Sequence, residues 1–303
     1  MSSAAGSAPK ESGRIAPPPL YYLSTTATLK NGNHANAVWH GFLAHESAPG
    51  EVMPAIVKAL ECEVGLAVEL ACALAGRALQ LPVPAPGLVL AERAMLPGLP
   101  ARFKGSTLLL IASHYQHPDA LMTEVLANNP DAEEVIWSRM CSTPTGTAGA
   151  VWDELVANAD RHCENVLYDG ASWWLFDHDL ALPTAKEYVL THLQQAARLS
   201  AIAFTATANQ LAHEMLERRP KDHGLIDLSA RLRGRDKALV AIAHYAAAWH
   251  HSDPKIHRVL ELTGKVLGLI HLRLPALAQH VAARCNTTPD TPLLWSSPTP
   301  PAS

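Results

Sequence analysis

Charged side chains are scarce in this sequence, 17% of the residues, and its lysines and arginines are scattered rather than gathered into a stripe. That scatter, with a formal net charge of −4, gives no electrostatic footprint for nucleic acid as the main partner. Paired cysteines are lacking too. The five present (Cys62, Cys72, Cys141, Cys163 and Cys285) are odd in number and contain no CxxC, which excludes a disulfide scaffold or a zinc ribbon and favours reduced thiols. No run of about 18 uninterrupted apolar residues occurs, and MSSAAGSAPKESGRIAPPPL has no basic segment leading into an apolar one, so neither a membrane span nor a secretory leader is expected. No repeat recurs at solenoid or propeller spacing. A soluble, cytoplasmic protein is the expectation.

What is present is apolar: 48% of 303 residues are hydrophobic, enough for a large core in one domain or in two parts sharing a cleft. Residues 1–18 and 286–303, rich in Ala, Ser, Thr and Pro, lack the periodicity to bury a face and read as tails. Residues 19–112 read as a small mixed part. Strands are expected at STTATL, NAVWHGFLA, PAIVKAL, LVLAER and TLLLIAS, with one helix at EVGLAVELACALAGRALQ, where Val64, Ala67, Val68, Ala71, Leu74, Ala75 and Leu79 recur at helical spacing. LPVPAPG forbids its continuation.

Residues 113–285 read as mostly helical. Helices are expected at ALMTEVLANN, AGAVWDELVANA, KEYVLTHLQQAARLSAIAFTATANQLAHEMLERR, DKALVAIAHYAAAWHH and PKIHRVLELTGKVLGLIHLRL. Strand character returns only at NVLYDG and SWWLFDHDLAL, around the turn pair Asp169-Gly170, which predicts a hairpin with Asp160 and Asn165 at its entry and Asp177 at its exit.

That placement matters chemically. Phosphoryl transfer needs a carboxylate to orient the acceptor hydroxyl, oxygen ligands for Mg²⁺ and a cation on the nucleotide phosphates. In DRHCEN, Asp160 is the candidate base and Asn165, five positions on, a neutral oxygen ligand; the offset is that of a kinase loop D-x-x-x-x-N. Asp177 follows twelve positions later, behind an apolar strand, where a DFG-type metal-binding Asp belongs.

NADRHCENVL, PAIVKAL, VELACALAGRAL and LPVP together resemble the HipA-like kinases, relatives of the lipid-kinase branch of the protein-kinase-like fold, over about Thr25 to Leu182. The resemblance implies an α+β, two-lobed fold with a small β/α N-lobe and a larger helical C-lobe. It implies ATP and Mg²⁺ in the cleft, with Lys58 on the α and β phosphates, Glu69 pairing with Lys58, Asp160 as base, Asn165 and Asp177 on the metal, and Arg161 and His162 bracing the loop. It implies a Ser/Thr kinase acting on a protein substrate, and leaves open a toxin that acts on a translation factor with an antitoxin partner. A small-molecule kinase and a nucleotide-binding regulator without turnover are the alternatives.

The sequence departs from the pattern twice. FDHD places Asp179 where a DFG-type motif has Gly, and a turn or cap role is favoured for it over a second metal ligand. LKNGNHANA holds one glycine, Gly32, as the nucleotide-covering loop, assigned by position. His244, His250, His251 and His257 form a group that invites a metal-binding reading, but an HxxxH pair with an acid on the same face is absent, and packing is the expected role. Trp173 and Trp174 are expected in the core, and Cys163 has no partner that would make it a nucleophile.

Overall fold

The computed structural model describes residues 15–30, 36–182 and 209–286 and is a mixed α+β fold. Six strands form the main sheet: β1 (Leu20–Leu23), β2 (Thr28–Leu29), β3 (Val38–His45), β4 (Ala48–Lys58), β5 (Pro86–Glu92) and β6 (Thr107–His114). Their order is β1-β5-β6-β4-β3-β2. β1 pairs parallel with β5 on one edge and antiparallel with β3 on the other, so five of the strands close on themselves as a barrel, with β2 continuing along the edge of β3.

Alternation along each strand explains the core inside this barrel. Trp39 and Leu43 on β3, Ala55 and Val57 on β4, and Leu110 and Ala112 on β6 point inward, with Tyr21, Leu23, Val89 and Ala91 completing a cluster of their own. Gly41 lies between Trp39 and Leu43 on the same inward face; a Cβ there would lie 2.8 Å from Leu23 Cδ2, so its lack of a side chain lets Leu23 fill the interior. By the same period of two, Ile56 and Lys58 must face outward.

Outside the barrel lies α1 (Glu63–Ala78), buried on almost every side, as expected of a helix that is apolar all round. Cys62 caps its start, Sγ accepting from the Gly65 N–H. It ends in a Schellman arrangement, Leu81 N–H to the Gly76 carbonyl and Gln80 N–H to the Arg77 carbonyl, with Gln80 left-handed at φ 60°. α1 belongs to the larger of the two core clusters, shared with the helices that follow.

Those are α2 (Ala120–Ala127), α3 (Ala132–Cys141), α4 (Pro144–Leu155), α5 (Gln210–Arg218), α6 (Leu225–Arg233), α7 (Asp236–Ala246) and α8 (Pro254–Cys285). α5 is the described part of the long helix expected over KEYVLT to ERR; the rest of that expectation lies outside the described residues. α3 and α6 were not expected. α8 runs eleven residues past Leu274, straight through Pro275. A proline inside a helix costs about 3 kcal/mol, and here Leu277 and Val281 beyond it are buried in the shared core, which offsets that cost.

By length and composition α8 could cross a membrane, although His271 and Arg273 interrupt its apolar run. In this fold it packs along α1, α6 and α7.

Candidate active site

Between α4 and α5, β7 (Val166–Tyr168) and β8 (Trp173–Leu175) form the hairpin that the sequence predicts, joined by a four-residue loop in which Asp169 Oδ1 accepts from the N–H groups of Ala171 and Ser172. Val166 pairs with Leu175, and the Phe176 N–H donates to the Asn165 carbonyl at 3.1 Å. The hairpin base thus brings the residue before β7, Asn165, beside the residue that follows Phe176, Asp177. The LPVP segment adds to it, the Pro82 carbonyl accepting from Leu175 N–H at 2.9 Å.

Lys58, Glu69, Asp160, Asn165 and Asp177 all line one cavity of about 550 Å³, a size suited to a nucleotide-sized ligand. Its inner wall is apolar, with Val38, Ile56, Ile111, Val166 and Phe176. Gly32 lies outside the described residues.

The ion pairing differs from expectation. Lys58 Nζ meets Asp177 Oδ1 at 2.5 Å and Asp179 Oδ2 at 3.3 Å, instead of pairing with Glu69. Glu69 Oε2 accepts the backbone N–H of His178 at 2.6 Å, so it fastens α1 to the chain that carries Asp177, and its charge reaches Lys58 only through space. The resemblance named the acid and gave it Lys58 as partner; the direct partner is the His178 N–H instead, because it depends on how deep α1 sits against the strand.

Asp179 is also placed otherwise than as a simple turn residue. It is buried, Asn36 Nδ2 donates to its Oδ2 at 2.9 Å, and its ligand oxygen lies within 4.8 Å of those of Glu69 and Asp177. These three form the one group of metal-competent acids, histidines or cysteines among the described residues.

Crowding separates their titrations. Burial opposes the charge on Lys58, but the surrounding carboxylates, Glu69 foremost, hold its pKa above the ordinary value. Burial raises Glu69 to about 7 against the pull of Lys58, with Asp177 and Asp179 adding to the rise. Burial and its neighbour Asp177 raise Asp179 to about 6. At Asp177, burial is overcome by Lys58 and by hydrogen bonds from Asp179 and Lys58, leaving it at about 2. Asp177 is the firm anion of the group.

Asp177 also has φ 57°, a left-handed conformation that costs a non-glycine residue roughly 1–2 kcal/mol. Ala157 (φ 49°) and Leu182 (φ 50°) share it, and the Leu182 N–H donates to the carbonyl of Val156, next to Ala157. Three of the four described non-glycine residues with positive φ therefore flank the cavity loops, the distribution expected where backbone strain serves a site.

The loop bearing Asp160 is held from behind. Arg161, fully buried, takes Asp153 in a two-point contact at 3.0 and 2.9 Å and donates to the carbonyls of Asn165 (2.9 Å) and Phe176 (2.5 Å). Asn158 donates to Asp153 Oδ1 and accepts the Asp160 N–H, both at 3.1 Å. Asn165 Nδ2 donates to the Asp160 carbonyl at 2.9 Å, which commits the amide nitrogen and leaves Oδ1 as the end available to a cation. The Asp160 carboxylate is 43% exposed, open to an incoming molecule, with His162 Nε2 at 4.0 Å. Asp153, Asn158, Asn36 and His178 were not anticipated; Asn158 could have been, as it opens NADRHCEN.

The histidine group packs instead of converging. His250 and His257 rings lie 4.7 Å apart, His251 Nδ1 accepts the Asp253 N–H, and His244 rests against Tyr245. Trp173 is buried, as expected, while Trp174 donates to Asp169 Oδ2 at 2.7 Å.

No protein-family model and no curated relative matches the chain. Among solved structures, a Helicobacter pylori proinflammatory kinase, CtkA, is similar at 13% identity and TM-score 0.46, over 86% of this chain and 97% of that one. The Shewanella oneidensis MR-1 toxin–antitoxin system HipA, in its complex with HipB and operator DNA, is similar at 12% identity and TM-score 0.36, over 84% of this chain and 67% of that one.

Proposed function

We propose that the chain is an ATP- and Mg²⁺-dependent kinase of two-lobed, HipA-like form, with residues 19–112 and 113–285 as the lobes, α1 as the wall they share, and the cavity as the nucleotide cleft. The observation that carries this reading is the convergence of Lys58, Asp160, Asn165 and Asp177 on one cavity from three separate stretches of chain.

The donor set fits Mg²⁺: the carboxylates of Asp177 and Asp179 and the amide oxygen of Asn165 are hard oxygens, with no sulfur or imidazole among them. When bound, the ion would neutralise charge on the phosphates. Lys58, beside Asp177 and Asp179, binds the nucleotide phosphates. Asp160, exposed at the mouth, orients the acceptor hydroxyl in line with the γ-phosphorus. As the new O–P bond forms and the bond to the β–γ bridging oxygen breaks, the hydroxyl proton passes to the Asp160 carboxylate and ADP leaves. The acceptor we assign is a Ser or Thr of a protein, in the cytoplasm, with a toxin role and an antitoxin partner following if that protein is essential.

A second reading, a nucleotide-binding regulator without turnover, is favoured by the direct Lys58–Asp177 contact and by Asp179 in place of glycine. Incubation with γ-labelled ATP and Mg²⁺, alone and with lysate, separates the two. Label on the chain or on an added protein is expected, and Asp160→Ala or Asp177→Ala should reduce it at least 100-fold, on the order of what a positioned acid–base group contributes. Asp177→Ala should also weaken Mg²⁺-dependent ATP binding, while His250→Ala leaves both unchanged. ATP binding without transfer in wild type and Asp160→Ala alike would establish the regulator instead.

A further inference from the structure

We propose that His178 is a positioning residue that locks the loop carrying Asp160 and Asn165 to the chain carrying Asp177. The inference rests on reading the cavity as a phosphoryl-transfer centre, but its geometry stands apart from that reading.

The His178 ring is fully buried, and its Nε2 lies 2.9 Å from the Trp152 indole nitrogen and 3.1 Å from Arg161 NH2. An indole N–H and a guanidinium can only donate. Nε2 must therefore be the bare, accepting nitrogen for both, which fixes the imidazole as the neutral tautomer with its hydrogen on Nδ1. The Arg161 guanidinium has five N–H donors, and Asp153 takes two, the carbonyls of Asn165 and Phe176 one each. His178 takes the fifth. Its backbone N–H is separately held by Glu69 Oε2 at 2.6 Å. A single residue thus joins α1, α4, the Asp160–Asn165 loop and the strained backbone of Asp177 next to it.

Nδ1 has no hydrogen-bond partner among the described residues. The unmet Nδ1–H is a cost of burying this ring, and the acceptor at Nε2, which meets two buried donors at once, is what the imidazole supplies against it. Without that acceptor the Trp152 N–H and one Arg161 N–H would be buried and unmet, and the side chain of Asp177 would lose the fixed neighbour that sets its direction.

Three full-length variants test this. His178→Gln places an amide oxygen near the Nε2 position, His178→Asn falls about one bond short of it, and His178→Phe keeps the ring but removes the acceptor. Expected is a loss of kcat of tenfold or more in His178→Phe and His178→Asn, with KM for ATP within twofold of wild type and recovery to within threefold in His178→Gln. Hydrogen exchange followed by mass spectrometry reads the lock without any turnover: residues 160–165 and 176–179 should exchange together in wild type and His178→Gln, and apart in His178→Phe. Retention of kcat in His178→Phe, equal losses in the Gln and Phe variants that track their melting temperatures, or unchanged exchange in His178→Phe would each overturn the proposal. A wild-type protein that transfers no phosphate would refute the kinase reading, and the exchange experiment would still decide the role of His178.

Discussion

Lys58 shares its surroundings with three carboxylates, and only one of them, Asp177, is held firmly ionised. Glu69 and Asp179, raised to about 7 and about 6 from ordinary values of 4.5 and 3.8, bind a proton more tightly in the folded protein than in the unfolded chain. Their contribution to stability is therefore complete below about pH 4 and is lost as pH rises through about 6 and 7. Asp177 has the opposite sign, contributing above 3.8 and ceasing to do so as pH falls through about 2. Glu69→Gln keeps an acceptor for the His178 N–H and removes one titration, so the fall in melting temperature between about pH 5 and pH 8 should be shallower than in wild type. Parallel curves for the two proteins would show that Glu69 carries no such proton. At this scale the placement of the candidate residues was readable wherever local geometry governs it. One loop spaces Asp160 and Asn165, and strand alternation turns Lys58 outward once Ala55 and Val57 are taken as core. The Glu69 partner and the Asp179 environment were not readable, because each is set by the meeting of segments more than a hundred residues apart.

The elements show the same division. α1 was legible from its spacing and from the prolines beyond it, but the expected stretch ran through Gln80, whereas the helix stops at Ala78 and Gln80 occupies the left-handed position of the Schellman turn, where glycine is the usual occupant. Because Gln80 is exposed and glycine enters that region freely, Gln80→Gly should stabilise the protein by about 0.5–1 kcal/mol in urea denaturation, with activity unchanged. Destabilisation would mean that the Gln80 side chain contributes something the hydrogen bonds of the turn do not reveal. α8 was legible only as far as Leu274. A proline is a sound local reason to stop a helix, and what overrides it, the burial of Leu277 and Val281, is tertiary. In α3, Ile136, Trp137, Met140 and Cys141 do recur at helical spacing, but the charged residues among them mask a short period.

Across the whole molecule, two cores do different work. The barrel interior is one; the other runs from the outer face of the sheet through α1 to α8 and lies behind the cavity loops. Buried Arg273 stitches the second core together, donating from α8 to the carbonyls of Leu155 at 2.5 Å and Glu154 at 2.8 Å where α4 ends and the chain turns toward Asp160. Arg273→Met preserves the apolar stem and leaves those carbonyls unmet, so it should cost about 2–4 kcal/mol in chemical denaturation. A loss below about 0.5 kcal/mol would show that the helix end finds other donors. The N-terminal stretch spans both regions, with Trp249 Nε1 donating to the Ile15 carbonyl and the Leu88 N–H to that of Pro19.

The pairing of β1 with both β5 and β3 has a further effect, on how copies of this protein meet one another. An open sheet ends in rows of bare amide and carbonyl groups onto which a stranger's backbone can add. Among the described strands of the main sheet, the pairs left open are few: β4 has only β3 beside it from Ala48 to Met53, and next to the two-residue β2 the Met95 carbonyl already accepts the N–H of Ala27. The open half of β4 carries Pro49 and Glu51, a proline and a charge of the kind that discourages fibril-like stacking.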